Sequence, residues 1–331
     1  MDIKKKRSIG LIVIVLLLAS VPLFVTNNYY LQLFIDMMMY AYLATSWNVL
    51  GGYTGQMANG YGVHFGIGAY TTAVLFVYNG VSPIIGIIIG AIVAATISMI
   101  MGSFTYRLGG TYFALSTVAM LHVVRMLFLS NTYILGYKTN GALSLNVPWR
   151  AESVWQMQWT SKVPYFYIIL VLLGLGIFIS GLIKRSKLGY YFSAISTNQD
   201  AASSLGINVT GSKMIAGAIS AAMIAIGGGF YVTVFQVVDP SRVFGYALSI
   251  SFMLYAIIGG RGTLWGPVIA ACLMEPLSYI LRGTLGASLS GLAQIVYAIV
   301  LMLIVYFIPG GVWSFISRFI DKLLGGRRSR E

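Results

Sequence analysis

Apolar runs long enough to cross a bilayer recur along almost the whole chain, separated by short polar or glycine-rich stretches. A helix rises 1.5 Å per residue, so a hydrocarbon core about 30 Å thick takes about 20 apolar residues. That criterion predicts ten spans, at 9–25, 31–50, 61–78, 83–103, 111–130, 163–183, 213–237, 245–258, 264–281 and 291–308. The eighth is short, as a tilted or broken span would be. The fold class is therefore an all-α polytopic membrane protein, and 1–331 reads as one transmembrane domain.

The segment from Gly51 to Tyr70 interrupts this pattern with seven glycines and several polar side chains. Lipid satisfies no N–H or C=O group, so irregular backbone at membrane depth must be buried in protein or line a wet cavity. The solute path is expected here, as a helix broken at Gly51, Gly52 and Gly55. Gln56, Asn59, Tyr61 and His64 supply polar contacts around it. His64 fits a hydrogen-bonded packing residue better than a proton carrier or metal ligand. A second glycine turn holds Gly259, Gly260, Gly262 and the candidate path residue Thr263. It reads either as a second break or as a device for close helix packing.

Composition removes the soluble alternatives. Hydrophobic residues make up 58% of the chain, charged residues 9%, and the mean hydropathy is +0.84. Soluble domains carry about a quarter charged residues. The net charge of +13 lies beside the apolar spans, which argues for membrane flanks rather than nucleic acid. With the N-terminus in the cytoplasm, fifteen of the 21 Lys and Arg residues fall on inside segments and five outside, with Arg125 within a span. By the positive-inside rule both termini are cytoplasmic. The first span also resembles a signal peptide, with Leu18-Ala19-Ser20 as small residues, but it runs on through Pro22 to Val25 and reads as an uncleaved anchor. One cysteine, Cys272, and two histidines support neither a disulfide framework nor a metal site.

Three segments lie outside the spans: an external loop 131–162, an internal loop 184–212 and a basic tail 309–331. Tyr133, Tyr137, Trp149, Trp155 and Trp159 make the external loop either a docking surface for an external partner or an interfacial aromatic belt. In the internal loop Ala194, Ala201, Ala202 and Leu205 share part of one helical face, and Gly206 supplies a stop. A short surface helix is expected, either a connector or a handle for a cytoplasmic motor. Gly206 to Lys213 has the two-glycine spacing of a phosphate loop, but its Ser-Lys order displaces lysine and hydroxyl, so nucleotide binding is excluded. No catalytic group set is found.

Four ionisable residues lie inside spans: Asp36, His122, Arg125 and Glu275. Such a residue near mid-membrane costs about 2.5–3.5 kcal/mol on insertion scales, so it has a partner or faces water. Counting residues from the outer boundary puts all four in the outer half, where they are expected to meet. Arg125 then either pairs structurally with Glu275 or Asp36 or touches one end of a zwitterionic solute.

The pieces Asn48-Val49-Leu50-Gly51-Gly52-Tyr53-Thr54-Gly55-Gln56, Phe65-Gly66-Ile67-Gly68-Ala69-Tyr70, Tyr106 to Thr117, Leu205 to Thr210 and Gly259 to Pro267 resemble, in order, the LivM-type permease subunit of branched-chain amino-acid ABC importers. The resemblance implies a fold like the ten-helix ribose-type permeases, in a plasma membrane. It implies a second, LivH-like permease, two cytoplasmic ATPase subunits that use ATP, an extracytoplasmic solute-binding protein, and no cofactor on this chain. It also implies that 194–206, with Asp200, Ala201, Ala202, Leu205 and Gly206, couples to the ATPases. The chain departs from the family at Ser196 to Asp200, where relatives are commonly charged, and at His122, where they often have glutamate. An ion-coupled secondary transporter or channel, an intramembrane enzyme, and the same permease class carrying urea, amides or a sugar stand as alternatives.

Overall fold

The computed structural model describes residues 20–22, 24–25, 27–285, 290–308 and 310–323. Its helices are α1 (Asn28–Gly51), α2 (Gly62–Asn79), α3 (Pro83–Thr105), α4 (Gly110–Ser130), α5 (Val163–Arg185), α6 (Lys187–Thr197), α7 (Gln199–Ser204), α8 (Val209–Phe235), α9 (Pro240–Val243), α10 (Tyr246–Gly260), α11 (Gly266–Leu285), α12 (Ser290–Phe307) and α13 (Val312–Leu323). Helices thus stand at nine of the ten expected positions; the first, 9–25, lies mostly outside the described residues. Among the described residues five helices are long and apolar enough to cross a membrane: α3, α4, α5, α8, and α9 with α10 taken together. The protein is a multi-helix membrane protein on that count.

Local chemistry sets the helix ends. Asn27, Ser82, Ser186, Asn198 and Asn208 accept hydrogen bonds from backbone amides at the starts of α1, α3, α6, α7 and α8. Pro83 stands in the first turn of α3, where its missing N–H costs nothing.

Helix α8 is the hub, packed on α1, α2 and α3. Its glycines Gly227, Gly228 and Gly229 face three different neighbours, because successive helical residues point about 100° apart. A β-carbon at Gly227 would press on Leu43 of α1, at Gly228 on the backbone of Phe65 in α2, and at Gly229 on Ile87 of α3. Small residues allow such close approach where water provides no driving force between helices.

Loop 131–162 is folded rather than open. Strands β1 (Tyr133–Ile134) and β2 (Tyr137–Lys138) form a hairpin, and β3 (Leu145–Asn146) pairs with β4 (Val237–Val238) after α8. Arg150 donates to the Phe76 carbonyl at 2.8 Å and covers its ring, closing the loop over the C-terminal end of α2. Glu152 accepts from the hydroxyl and amide of Thr160, which lowers its pKa below the ordinary carboxylate value. Trp149 and Trp155 remain exposed, whereas Trp159 packs against Tyr165.

One expectation needs correction. The single helix expected over 194–206 is two, because Asn198 leaves helical geometry to cap α7. Within 309–331, α13 packs on α10 and α11; its sequence alternates apolar and polar residues at helical spacing, and residues 324–331 lie outside the described part.

Candidate translocation path

Helix α1 stops at Gly51, and α2 starts at Gly62, so the break covers residues 52–61. Gly55 takes φ +74°, a left-handed conformation that costs a residue with a β-carbon about 1–2 kcal/mol. The break is mostly buried, so its polar backbone has to be satisfied by protein. Neighbouring helices do this with side chains. Trp47 donates its indole N–H to the Ala58 carbonyl at 2.8 Å, and Thr117 of α4 accepts from the Gly60 amide at 3.2 Å. Ser249 of α10 accepts from the Gly62 amide and donates to the Asn59 carbonyl. The broken segment is thereby wedged between α4 and α10.

Of the expected path residues, Gln56, Asn59, Tyr61 and His64 gather at this break. Gln56 is buried and Asn59 half-buried. The Tyr61 hydroxyl lies within hydrogen-bond distance of the Ser98 and Tyr106 hydroxyls and donates to the Gly217 carbonyl, tying α2 to α3 and α8. His64 lies inside α2, not in the break; its Nδ1 is 3.3 Å from the Tyr61 carbonyl, while Nε2 is buried without a partner among the described residues. Both side chains border a cavity of about 20 Å³. That volume admits about one water molecule, so no solute-sized channel is open there.

The two glycine turns, separated by more than 200 residues, meet. Asn48, 1% exposed, donates to the Thr263 carbonyl at 2.8 Å and accepts from the Gly262 amide at 3.0 Å. Lys184 at the end of α5 donates to the Gly262 carbonyl at 2.9 Å. Thr263 joins the site by its backbone, because its hydroxyl donates to Gly260 and accepts from the Gly266 amide at the start of α11. A β-carbon at Gly259 would run into the Gly266 carbonyl, so here the glycines permit close packing. Asn48, Ser249 and Thr117 were not singled out by sequence; the available signal was an amide side chain next to a double glycine.

Loop 184–212 touches the same break. A β-carbon at Gly55 would lie 3.0 Å from the Ser196 hydroxyl of α6. Lys213 of α8, itself buried, donates to Gln199 of α7 at 2.8 Å. Ala202 faces inward, whereas Asp200, Ala201, Leu205 and Gly206 face outward, Leu205 with 82% of its surface free.

The expectation that the four intramembrane charges meet is overturned. Asp36 on α1 and Glu275 on α11 lie within electrostatic reach of each other, on packed helices, with Arg282 nearby. Gln32 donates to Asp36, and Tyr255 donates to Glu275 at 3.0 Å. His122 and Arg125 sit on α4, on another side of the bundle, with His122 against the Tyr246 ring. Residue counting gives depth but not direction around the bundle, and direction separates the two pairs. The described residues include no group of three or more His, Cys, Asp or Glu side chains placed to hold a metal.

The profile of the family described as branched-chain amino acid transport system / permease component matches residues 29–306, most of the chain. The protein belongs to this permease family. It is 28% identical over 264 residues to the high-affinity branched-chain amino acid transport system permease protein LivM of Salmonella typhimurium, and likewise to that of Escherichia coli. Each alignment takes in 74% of this chain and 62% of the relative, so the permease spans under two thirds of the length of these relatives. No solved structure gives a match of comparable significance. The glycine turns and the broken segment described above all lie within the matched residues of this permease.

Proposed function

We propose that this permease is the path-forming subunit of an ATP-driven importer, carrying a branched-chain or other small amino acid across the plasma membrane. In this reading ten spans place both termini in the cytoplasm. A second permease completes the path, two cytoplasmic ATPases supply the driving force, and an extracytoplasmic binding protein delivers solute. The observation that carries it, beside the family membership, is the contact of the buried broken helix with the internal loop through Gly55 and Ser196. Displacement of α6 and α7 by an ATPase seated on Leu205 would reach the break directly, while the Lys213 bond to Gln199 would carry it to the central helix. The chain itself contributes no catalytic step; hydrolysis belongs to the ATPases.

The Gly55→Ala variant adds strain at a left-handed residue and crowds Ser196, and is expected to lower uptake about tenfold while the assembled complex still hydrolyses ATP. Vesicles holding this permease with the proteins encoded beside it, assayed with labelled amino acids, urea and ribose, test the reading. Uptake of an amino acid that requires the ATPases is the expected outcome. The Asp36 and Glu275 pair favours one rival, an ion-coupled carrier. Uptake by this chain alone, driven by a proton or sodium gradient and lost in Glu275→Gln, would establish that rival instead.

A further inference from the structure

Helix α4 presents to the membrane a stripe that lipid is poorly suited to cover. Tyr112, Leu115, Ala119, His122 and Met126 recur at spacings of three and four residues and are all exposed, with Tyr112 at 74% and Leu115 and Met126 at 62% each. The stripe is apolar except for His122 near its middle. One turn further, Arg125 is half-buried, and its Nε finds no acceptor among the described residues. The neighbouring helix α3 gives the contrast. Its outward residues Ile85, Ile88, Ile92 and Ile100 are aliphatic, and exposed Thr96 returns its hydroxyl to the Ile92 carbonyl. That face suits lipid. On α4, an imidazole facing hydrocarbon and a half-buried guanidinium beside it carry a cost that a protein partner removes.

We propose that the outward stripe of α4 is the seat of a second, different membrane subunit, which places a carboxylate against His122 and Arg125. A second copy of this chain fits poorly. Two-fold pairing sets a stripe against itself, and residues 110–130 contain no aspartate or glutamate to answer the arginine. Charge complementarity therefore selects a partner helix that carries an acid. The inference rests on the importer reading for the existence of a second permease and adds where it sits and what it presents. The wedge that Thr117 of α4 makes on the Gly60 amide then puts this interface one hydrogen bond from the break.

Photo-crosslinking in the assembled complex tests it, with Ala119→p-benzoylphenylalanine and Met126→p-benzoylphenylalanine on α4 and Ile88→p-benzoylphenylalanine on α3 as control. Adducts from 119 and 126 should map to a peptide of another membrane chain with Asp or Glu within one helical turn, and the control should label lipid. Arg125→Glu should reduce recovery of the complex about tenfold, while the variant chain stays monodisperse and Arg125→Lys retains its partner. Adducts joining two copies of this chain overturn the proposal. So do lipid adducts alone at 119 and 126 when a second permease still co-purifies, a result that leaves the importer reading standing. A chain that purifies alone and transports without ATPases overturns both.

Discussion

Gly228→Val is expected to abolish accumulation of folded protein. Gly228 sits on the central helix α8, and a β-carbon there would lie 2.9 Å from the carbonyl carbon of Phe65 and 3.1 Å from the amide nitrogen of Ala69, closer still to the Phe65 oxygen. These are backbone atoms of α2, so no rotamer change relieves the clash. Only separation of the two helices does. Overpacking of this kind costs about 1–3 kcal/mol for added methylenes and more where backbone must move. Glycine in a helix interior is about 1 kcal/mol worse than alanine in propensity, which offsets only part of the penalty even for Gly228→Ala.

The neighbouring glycine provides the control. At Gly227 the first obstacle is the Cδ2 atom of Leu43 at 2.7 Å, the far end of a flexible side chain. Gly227→Ala is therefore expected to unfold close to the wild-type temperature in detergent, while Gly228→Ala unfolds well below it. Equal effects at both positions would refute the packing argument.

Length and hydropathy were sufficient to place the helices, because a membrane crossing demands a minimum apolar run regardless of what surrounds it. The break was legible for a related reason: glycines and amides at membrane depth are costly unless the protein uses them. The rest depended on direction around the helices. Asp36 and Glu275 come within electrostatic reach of each other, yet Arg125 stands on another helix, since a residue count says nothing about azimuth. The Gly227-Gly228-Gly229 triplet passed without notice in an apolar run, because its meaning comes from Leu43, Phe65 and Ile87 on three separate helices. Asn198 looked like one polar residue in a helical stretch, but its side chain accepts from the amides of Asp200 and Ala201 and starts a new helix.

Asn48→Leu is expected to cost about 1–3 kcal/mol of stability and nearly all transport. Leucine keeps the branching at Cγ and is no smaller than asparagine, so no cavity is left and the loss comes from two polar backbone groups. The Gly262 amide loses its acceptor and the Thr263 carbonyl loses its donor at a half-buried turn, where an apolar side chain now covers them. Hydrogen bonds between membrane helices often contribute less than 1 kcal/mol, since the separated helices find other partners. Here both groups belong to a non-helical turn, whose amides and carbonyls have no ladder to fall back on. The functional loss exceeds the stability loss because Asn48 clasps the two glycine turns across the break itself. Asn48→Asp separates charge from shape: it keeps an acceptor for the Gly262 amide but sets a carboxylate against the Thr263 carbonyl. It should fail as well. Uptake and the unfolding temperature in detergent, measured side by side for Asn48→Leu and the wild type, report the clasp directly. Loss of uptake with a lowered unfolding temperature is expected, and wild-type behaviour in both would mean that other contacts hold the turns together.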